Sequence, residues 1–190
     1  MLKDGDGGGD LWVFGYGSLM WRPGFAYVER GPARLIGLHR ALCVLSFVHR
    51  GTPERPGLVL GLDRGGMCRG IAYRVKASAR AATIEYLRAR EQVTTVYIET
   101  MRQIELEDRA RGRVRALCYI VDRSHVQYAG RLTRDESLHL VRQGHGQSGP
   151  NRDYVLETVR ALDALGYRET ELHLLADRLK GLHEAGVSDR

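Results

Sequence analysis

The chain has 190 residues, 43% hydrophobic and 27% charged, an ordinary globular composition with material for one core. No window approaches the roughly 18 uninterrupted apolar residues of a spanning helix, since Arg40 and His49 bound even the longest apolar stretch, so no membrane role is expected. The net charge of +6 rests almost wholly on arginine, with Lys3, Lys76 and Lys180 the only lysines. These arginines are scattered from Arg22 to Arg190 without an aromatic-basic stripe, which argues for a solvated surface able to steer an anionic small molecule and against nucleic acid.

Residues 1–10 are acidic and Gly-rich with no apolar core, so they read as a flexible tail and not a secretory signal, leaving 11–185 as a single domain. Residues 11–16, Leu-Trp-Val-Phe-Gly-Tyr, are β-prone and run into a Gly-Ser turn, which predicts the first strand. One long or two short strands follow over 34–48. The stretch 49–57 then holds Pro53, Pro56, Gly51 and Gly57, the composition of a surface loop. Residues 58–62 and 68–75 read as strands joined by a turn at 63–66. Ser78 as N-cap predicts a helix to about Arg90. Strands return over 95–104 and 114–121, flanking a basic turn at 107–113. Beyond residue 130 the apolar spacing becomes helical over 133–143, 151–165 and 170–183, with Asn151 as a cap and Gly166 as a stop. Strands in the first two thirds and helices in the last argue for an α+β fold, a twisted sheet or small barrel with one inserted helix and a helical C-terminal layer.

Three places could carry chemistry. After the first strand, Gly15 and Gly17 let the backbone around Tyr16, Gly17, Ser18 and Leu19 approach a ligand closely and aim successive N–H groups into one concavity; the alternative is a plain strand-end turn. A dinucleotide fingerprint fails there, because Met20 stands where the last glycine belongs and no βαβ pattern follows. On the predicted helix, Glu91 shares the face of Ile84 and Leu87 and sits at the negative end of the helix dipole. Both effects raise a carboxyl pKa, as a proton shuttle requires; the alternative is an ion pair with Arg88, while Glu85 is expected to pair with Arg88 on the surface. Residues 144–151, Gly-His-Gly-Gln-Ser-Gly-Pro-Asn, fail the nucleophile-elbow and phosphate-loop patterns and read as a helix-start loop. Tyr128 reads equally as half-buried packing, and His139 and His145 have no evident partner. Cys43, Cys68 and Cys118 lie in or beside apolar stretches, as reduced buried thiols of a cytoplasmic protein do, and no metal-ligand spacing occurs.

Val13-Phe-Gly-Tyr-Gly-Ser-Leu-Met-Trp21, His49-Arg-Gly-Thr-Pro-Glu-Arg-Pro-Gly57, Arg69-Gly-Ile-Ala-Tyr73, Tyr86-Leu-Arg-Ala-Arg-Glu91, Gln127-Tyr-Ala-Gly130 and Ser148-Gly-Pro-Asn-Arg-Asp-Tyr154 follow one another in an order that resembles the ChaC-like gamma-glutamylcyclotransferases, whose members cleave glutathione. The resemblance implies a cytosolic lyase on a small mixed β-barrel with surrounding helices. It would convert glutathione to 5-oxoproline and Cys-Gly without metal, nucleotide or other cofactor. It also implies that Tyr16, Gly17, Ser18 and Leu19 hold the γ-glutamyl group and that Glu91 is the catalytic glutamate. Arg55, in a basic loop with His49 and Arg50, is expected to meet a substrate carboxylate, and Tyr128 joins the substrate-binding set. Many eukaryotic members carry Gly-Gly-Tyr soon after the glutamate, whereas this chain has Gln92-Val-Thr-Thr-Val-Tyr97, a departure that bears on the leaving group. Two alternatives stand beside this expectation: cyclisation of γ-glutamyl amino acids or amines, and a non-catalytic regulatory protein on the same fold.

Overall fold

β1 (Leu11–Gly15) is apolar on both faces because both are covered, with Leu11 and Val13 on one and Phe14 on the other fully buried. It pairs antiparallel with β3 (Gly57–Val75), from Leu11 opposite Val75 to Gly15 opposite Ile71, and parallel with β5 (Arg113–Val121), Trp12 opposite Ala116. With β2 (Glu29–Ser46) and β4 (Tyr97–Leu106) these strands close a barrel in the order β1-β3-β2-β4-β5. The computed structural model describes residues 9–108 and 112–187; the expected tail lies outside the described residues over 1–8, as does the tip of the basic turn at 109–111.

Two compact units emerge, one from residues up to 41 with 61–125, the other from 42–60 with 126 onward, and β2 and β3 pass through both. The first unit holds the barrel core, with Leu11, Val13, Leu62, Tyr73, Ile104 and Leu117 all fully buried. It also carries α1 (Arg80–Glu91), entered through a 3-10 turn at Ala77–Ala79. In the second unit α2 (Arg134–Gln143), α3 (Asn151–Ala164) and α4 (Thr170–Val187) pack on one another, and a short ribbon of β6 (His145–Gly146) and β7 (Gly149–Pro150) leads into α3. Thr133 opens α2 with a reciprocal capping box to Glu136. Cys43, Cys68 and Cys118 are buried free thiols, as expected, and among the described residues no helix is long and apolar enough to cross a membrane.

The structure corrects three local expectations. Residues 63–66 do not reverse the chain. Gly65 and Gly66, at φ +94° and +68°, take the left-handed backbone glycine favours inside one 19-residue strand, and Arg123 holds Asp63 at 2.6 Å nearby. Ser78 caps nothing; it lies inside the 3-10 turn, whose Ala77 N–H is taken by the Asp10 carboxylate at 3.0 Å, itself paired with Arg74 at 2.8 Å. Asn151 is the first residue of α3 and not its cap, because its side chain is engaged elsewhere. Its Oδ1 accepts the Leu58 N–H at 2.6 Å and its Nδ2 donates to the Leu58 carbonyl at 2.9 Å, so a buried amide stands in for a missing neighbouring strand.

Asn151→Ala strands a buried N–H and a buried C=O at Leu58. It is expected to cost about 3 kcal/mol of stability, read as a lower denaturant midpoint at unchanged slope.

Candidate active site

The chain leaves β1 at Gly15, where a Cβ would come within 3.0 Å of the Leu19 Cβ and 3.3 Å of Tyr73, so any side chain there would press on both. Residues 16–19 are then fixed from several sides. The Tyr16 hydroxyl donates to the Tyr119 carbonyl at 3.0 Å, and the Tyr16 carbonyl accepts from Arg40 Nε. The Gly17 carbonyl accepts the Met20 N–H at 2.8 Å, and the Leu19 carbonyl accepts the Tyr73 hydroxyl at 2.7 Å. Burial pushes the Tyr73 phenol up to about 12, so it stays a donor. Tyr16 and Leu19 therefore spend their side chains on the core, and what this turn can offer a ligand is backbone and the half-buried Ser18. Ser18 and Leu19 open the 3-10 turn Ser18–Met20, the place in a helical turn where N–H groups have no partner within the turn.

Glu91 ends α1 one turn beyond Leu87, which is fully buried, on the helix face the periodicity indicated. Its side chain is only 18% exposed, and burial raises its pKa, opposed by the neighbouring Arg90, whose Nε lies 3.2 Å from Oε1. The alternative ion pair of Glu91 with Arg88 does not form, nor does the expected surface pair of Glu85 with Arg88. Arg88 instead grips Glu99 on β4 with both arms, at 2.7 and 2.9 Å. Glu99 faces Tyr119 across the β4–β5 ladder and accepts its hydroxyl at 3.2 Å. The hydrogen-bonded Arg88 holds the Glu99 carboxyl below its usual range. Burial, then the Glu99 and Glu91 charges, raise the Tyr119 phenol. Two acidic groups near Tyr119 are thus driven apart, Glu99 locked as an anion and Glu91 pushed toward a form that can hold a proton.

Arg90 was not among the sequence-level candidates, and it brings the two predicted sites together. Its Nη2 donates to Ser18 Oγ at 2.8 Å, its Nη1 donates to the Arg22 carbonyl at 2.7 Å and the Tyr86 hydroxyl at 2.9 Å, and its Nε meets Glu91. Arg90 carries no sequence signal of its own because its contact with Ser18 spans 72 residues, and Glu99 none because its partners lie on other elements, α1 and β5. Phe25 packs edge-on against Tyr73 and Tyr86, with centroids 5.6 and 6.3 Å apart, and so braces the aromatic ring that supports Arg90.

The remaining candidates lie in the second unit. Arg55 is exposed, in a turn closed by Thr52, and lines a groove of about 480 Å³ with Asp135, His139 and Arg142. His49 and Arg50 serve the scaffold: His49 Nδ1 lies 3.2 Å from Ser148 Oγ, and Arg50 donates to the Pro150 carbonyl at 3.0 Å while lying over the Tyr154 ring. Tyr128 is half-buried and bridges to Val44, and His145 is exposed in β6. Residues 144–151 form the β6–β7 ribbon, and Gln147 and Ser148 donate their N–H groups to the Val48 and His49 carbonyls, both at 2.9 Å.

Comparison with known proteins gives consistent findings. A family model described as ChaC-like protein matches residues 11–181. A glutathione-specific gamma-glutamylcyclotransferase of Escherichia coli K12 is 34% identical over 175 residues, covering 92% of this chain and 74% of the relative. The Homo sapiens glutathione-specific gamma-glutamylcyclotransferase 1 is 31% identical over 168 residues, covering 87% and 76%. In fold, the chain is similar to a crystal structure of a yeast gamma-glutamyl cyclotransferase specific to glutathione, with a TM-score of 0.83 over 91% of this chain and 96% of that one at 23% identity.

A carboxyl that folding pushes toward its protonated form makes the native state bind more protons than the unfolded chain, so stability falls as pH rises through that window. Glu91→Gln is therefore expected to unfold at higher temperature than wild type at pH 7.5, with the advantage vanishing below the ordinary glutamate value of 4.5. Parallel thermal melts at pH 4 and pH 7.5 check this.

Proposed function

The chain belongs to the ChaC-like family, and from that premise we propose that it is a gamma-glutamylcyclotransferase converting glutathione to 5-oxoproline and Cys-Gly. The observation that carries this reading is the buried Glu91 carboxyl at the end of α1, joined through Arg90 to the turn that follows β1. The relatives named for this activity span most of the chain, and residues 11–185 are taken as the domain that bears it.

A γ-glutamyl compound carries its own nucleophile, so neither water nor a covalent enzyme intermediate is needed. Glu91, ionised, takes a proton from the substrate's α-ammonium. The freed amine attacks the γ-carbonyl, closing a five-membered ring, and the C–N bond to the cysteinyl nitrogen breaks as Glu91 returns its proton there. The ring nitrogen loses its second proton and the released amine gains one, both by exchange with solvent, so charge and atoms balance. One carboxyl serves as base and then acid, which favours a pKa nearer neutrality than an ordinary glutamate's, the direction in which burial moves Glu91. Backbone N–H groups at Gly17, Ser18 and Leu19 fix the γ-glutamyl group or polarise its carbonyl. Holding the substrate folded supplies much of the acceleration, since oriented intramolecular closures reach effective molarities of about 10⁵ M or more. The substrate-binding roles of Arg55 and Tyr128 belong to this reading and rest on the family resemblance. Three buried thiols suit a reducing compartment such as the cytoplasm.

Purified protein incubated with reduced glutathione and, separately, with γ-glutamyl-alanine is expected to release 5-oxoproline and Cys-Gly from glutathione selectively. Lactam from γ-glutamyl-alanine alone would reassign the substrate, and lactam from neither would point to a binding protein on this fold. Glu91→Gln is expected to keep its KM for glutathione and lose turnover by about 10²–10⁴-fold, because the amide cannot shuttle a proton. Turnover like wild type in that variant would remove Glu91 from the reaction.

A further inference from the structure

Arg90 makes more directed contacts than any surface arginine needs. Its side chain is 18% exposed and spans Ser18 Oγ, the Arg22 and Pro23 carbonyls, the Tyr86 hydroxyl and Glu91 Oε1, at distances from 2.7 to 3.2 Å. These acceptors come from the turn after β1, the segment beyond it and α1. A planar guanidinium can hold several acceptors in fixed directions at once, which a single ammonium cannot. We propose that Arg90 is a positioning residue that locks the Ser18 turn and the Glu91 carboxyl into one frame, setting where the γ-glutamyl group sits relative to the base. This rests on the cyclotransferase reading above.

The frame has a geometric and an electrostatic consequence. Geometrically, Ser18 stands in the turn assigned to the γ-glutamyl group, so releasing it from Arg90 lets substrate and base drift apart; a misplacement of about 1 Å can cost about 10²-fold in rate. Electrostatically, the groups around Glu91 are Arg90 on its own helix and Tyr119 from β5, with the Arg88–Glu99 pair beyond Tyr119. Arg90 is the cation among them that favours the ionised Glu91, while Arg88 is already committed to Glu99. Removing the Arg90 charge therefore raises the pH at which Glu91 becomes a base.

The test is the kinetics and pH profile of 5-oxoproline formation from glutathione by wild type, Arg90→Gln, Arg90→Lys and Ser18→Ala, each corrected for its folded fraction. Arg90→Gln is expected to lose about 10²-fold in kcat/KM and to shift the acid limb of the profile to higher pH. Arg90→Lys is expected to keep the limb near its wild-type position, since the charge remains, without recovering kcat/KM. Wild-type kcat, KM and acid limb in folded Arg90→Gln would overturn the proposal. If Arg90→Gln does not fold, the Ser18→Ala and Arg90→Lys double-mutant cycle decides: non-additive losses in kcat/KM support the shared frame, and additive ones refute it. Inactive wild type would defeat the cyclotransferase reading itself, whereas active wild type with indifferent Arg90 variants would defeat only the frame.

Discussion

A carboxylate taken out of water must be neutralised, paired or allowed to hold its proton, and α1 ends on one that is paired only sideways. Glu91 has a single guanidinium 3.2 Å away, and that same guanidinium is shared among several other acceptors. Burial therefore prevails over the ion pair and raises the pKa. The nearby Glu99 shows the contrast, because both arms of Arg88 and the Tyr119 hydroxyl converge on it and keep it charged. Had Arg88 turned to Glu91, as its position on the preceding turn allows, it would favour the ionised Glu91 and leave the buried Glu99 side chain without its guanidinium. The β4–β5 register sets Glu99 opposite Tyr119, where Arg88 grips it, so Arg88 is engaged away from Glu91.

The turn after β1 depends on the same economy of side chains. Gly15 leaves room for Leu19 and Tyr73 to pack close against the backbone, and Tyr16 and Leu19 are consumed by the core, so Ser18 is the half-buried side chain of a segment held by Arg40, Tyr73 and the Tyr16 hydroxyl. The proposed use of this backbone as a cradle suits a substrate whose reactive conformation is a folded ring precursor, since the work is orientation more than bond activation. In the second unit, Asn151 and Tyr154 perform a comparable service for β3, their side chains bonding the Leu58 and Leu60 backbone.

Much of this was legible in the chain itself. Strand-rich then helix-rich order gave the α+β class, and the spacing of Ile84, Leu87 and Glu91 placed the carboxyl on the inner face of its helix. Local signals misled where a distant partner intervened. Asp63-Arg-Gly-Gly66 has the composition of a hairpin turn, yet Arg123 pins Asp63 and the strand runs on. Ser78 and Asn151 are good caps by residue type, but Asp10 took the first role and Leu58 claimed the second side chain. Arg88 and Arg90 look alike as last-turn cations; only the tertiary structure gives one to Glu99 and the other to Ser18 and Glu91.

The most direct measurement is a carbon-13 NMR titration of the glutamate side-chain carboxyls, with the Glu91 signal identified by its loss in Glu91→Gln. The expected result is a carboxyl that titrates above the ordinary glutamate value of 4.5, at the pH of the acid limb of kcat/KM for 5-oxoproline release. A Glu91 signal titrating at the ordinary value, or well apart from that limb, would contradict a buried carboxyl acting as the proton shuttle.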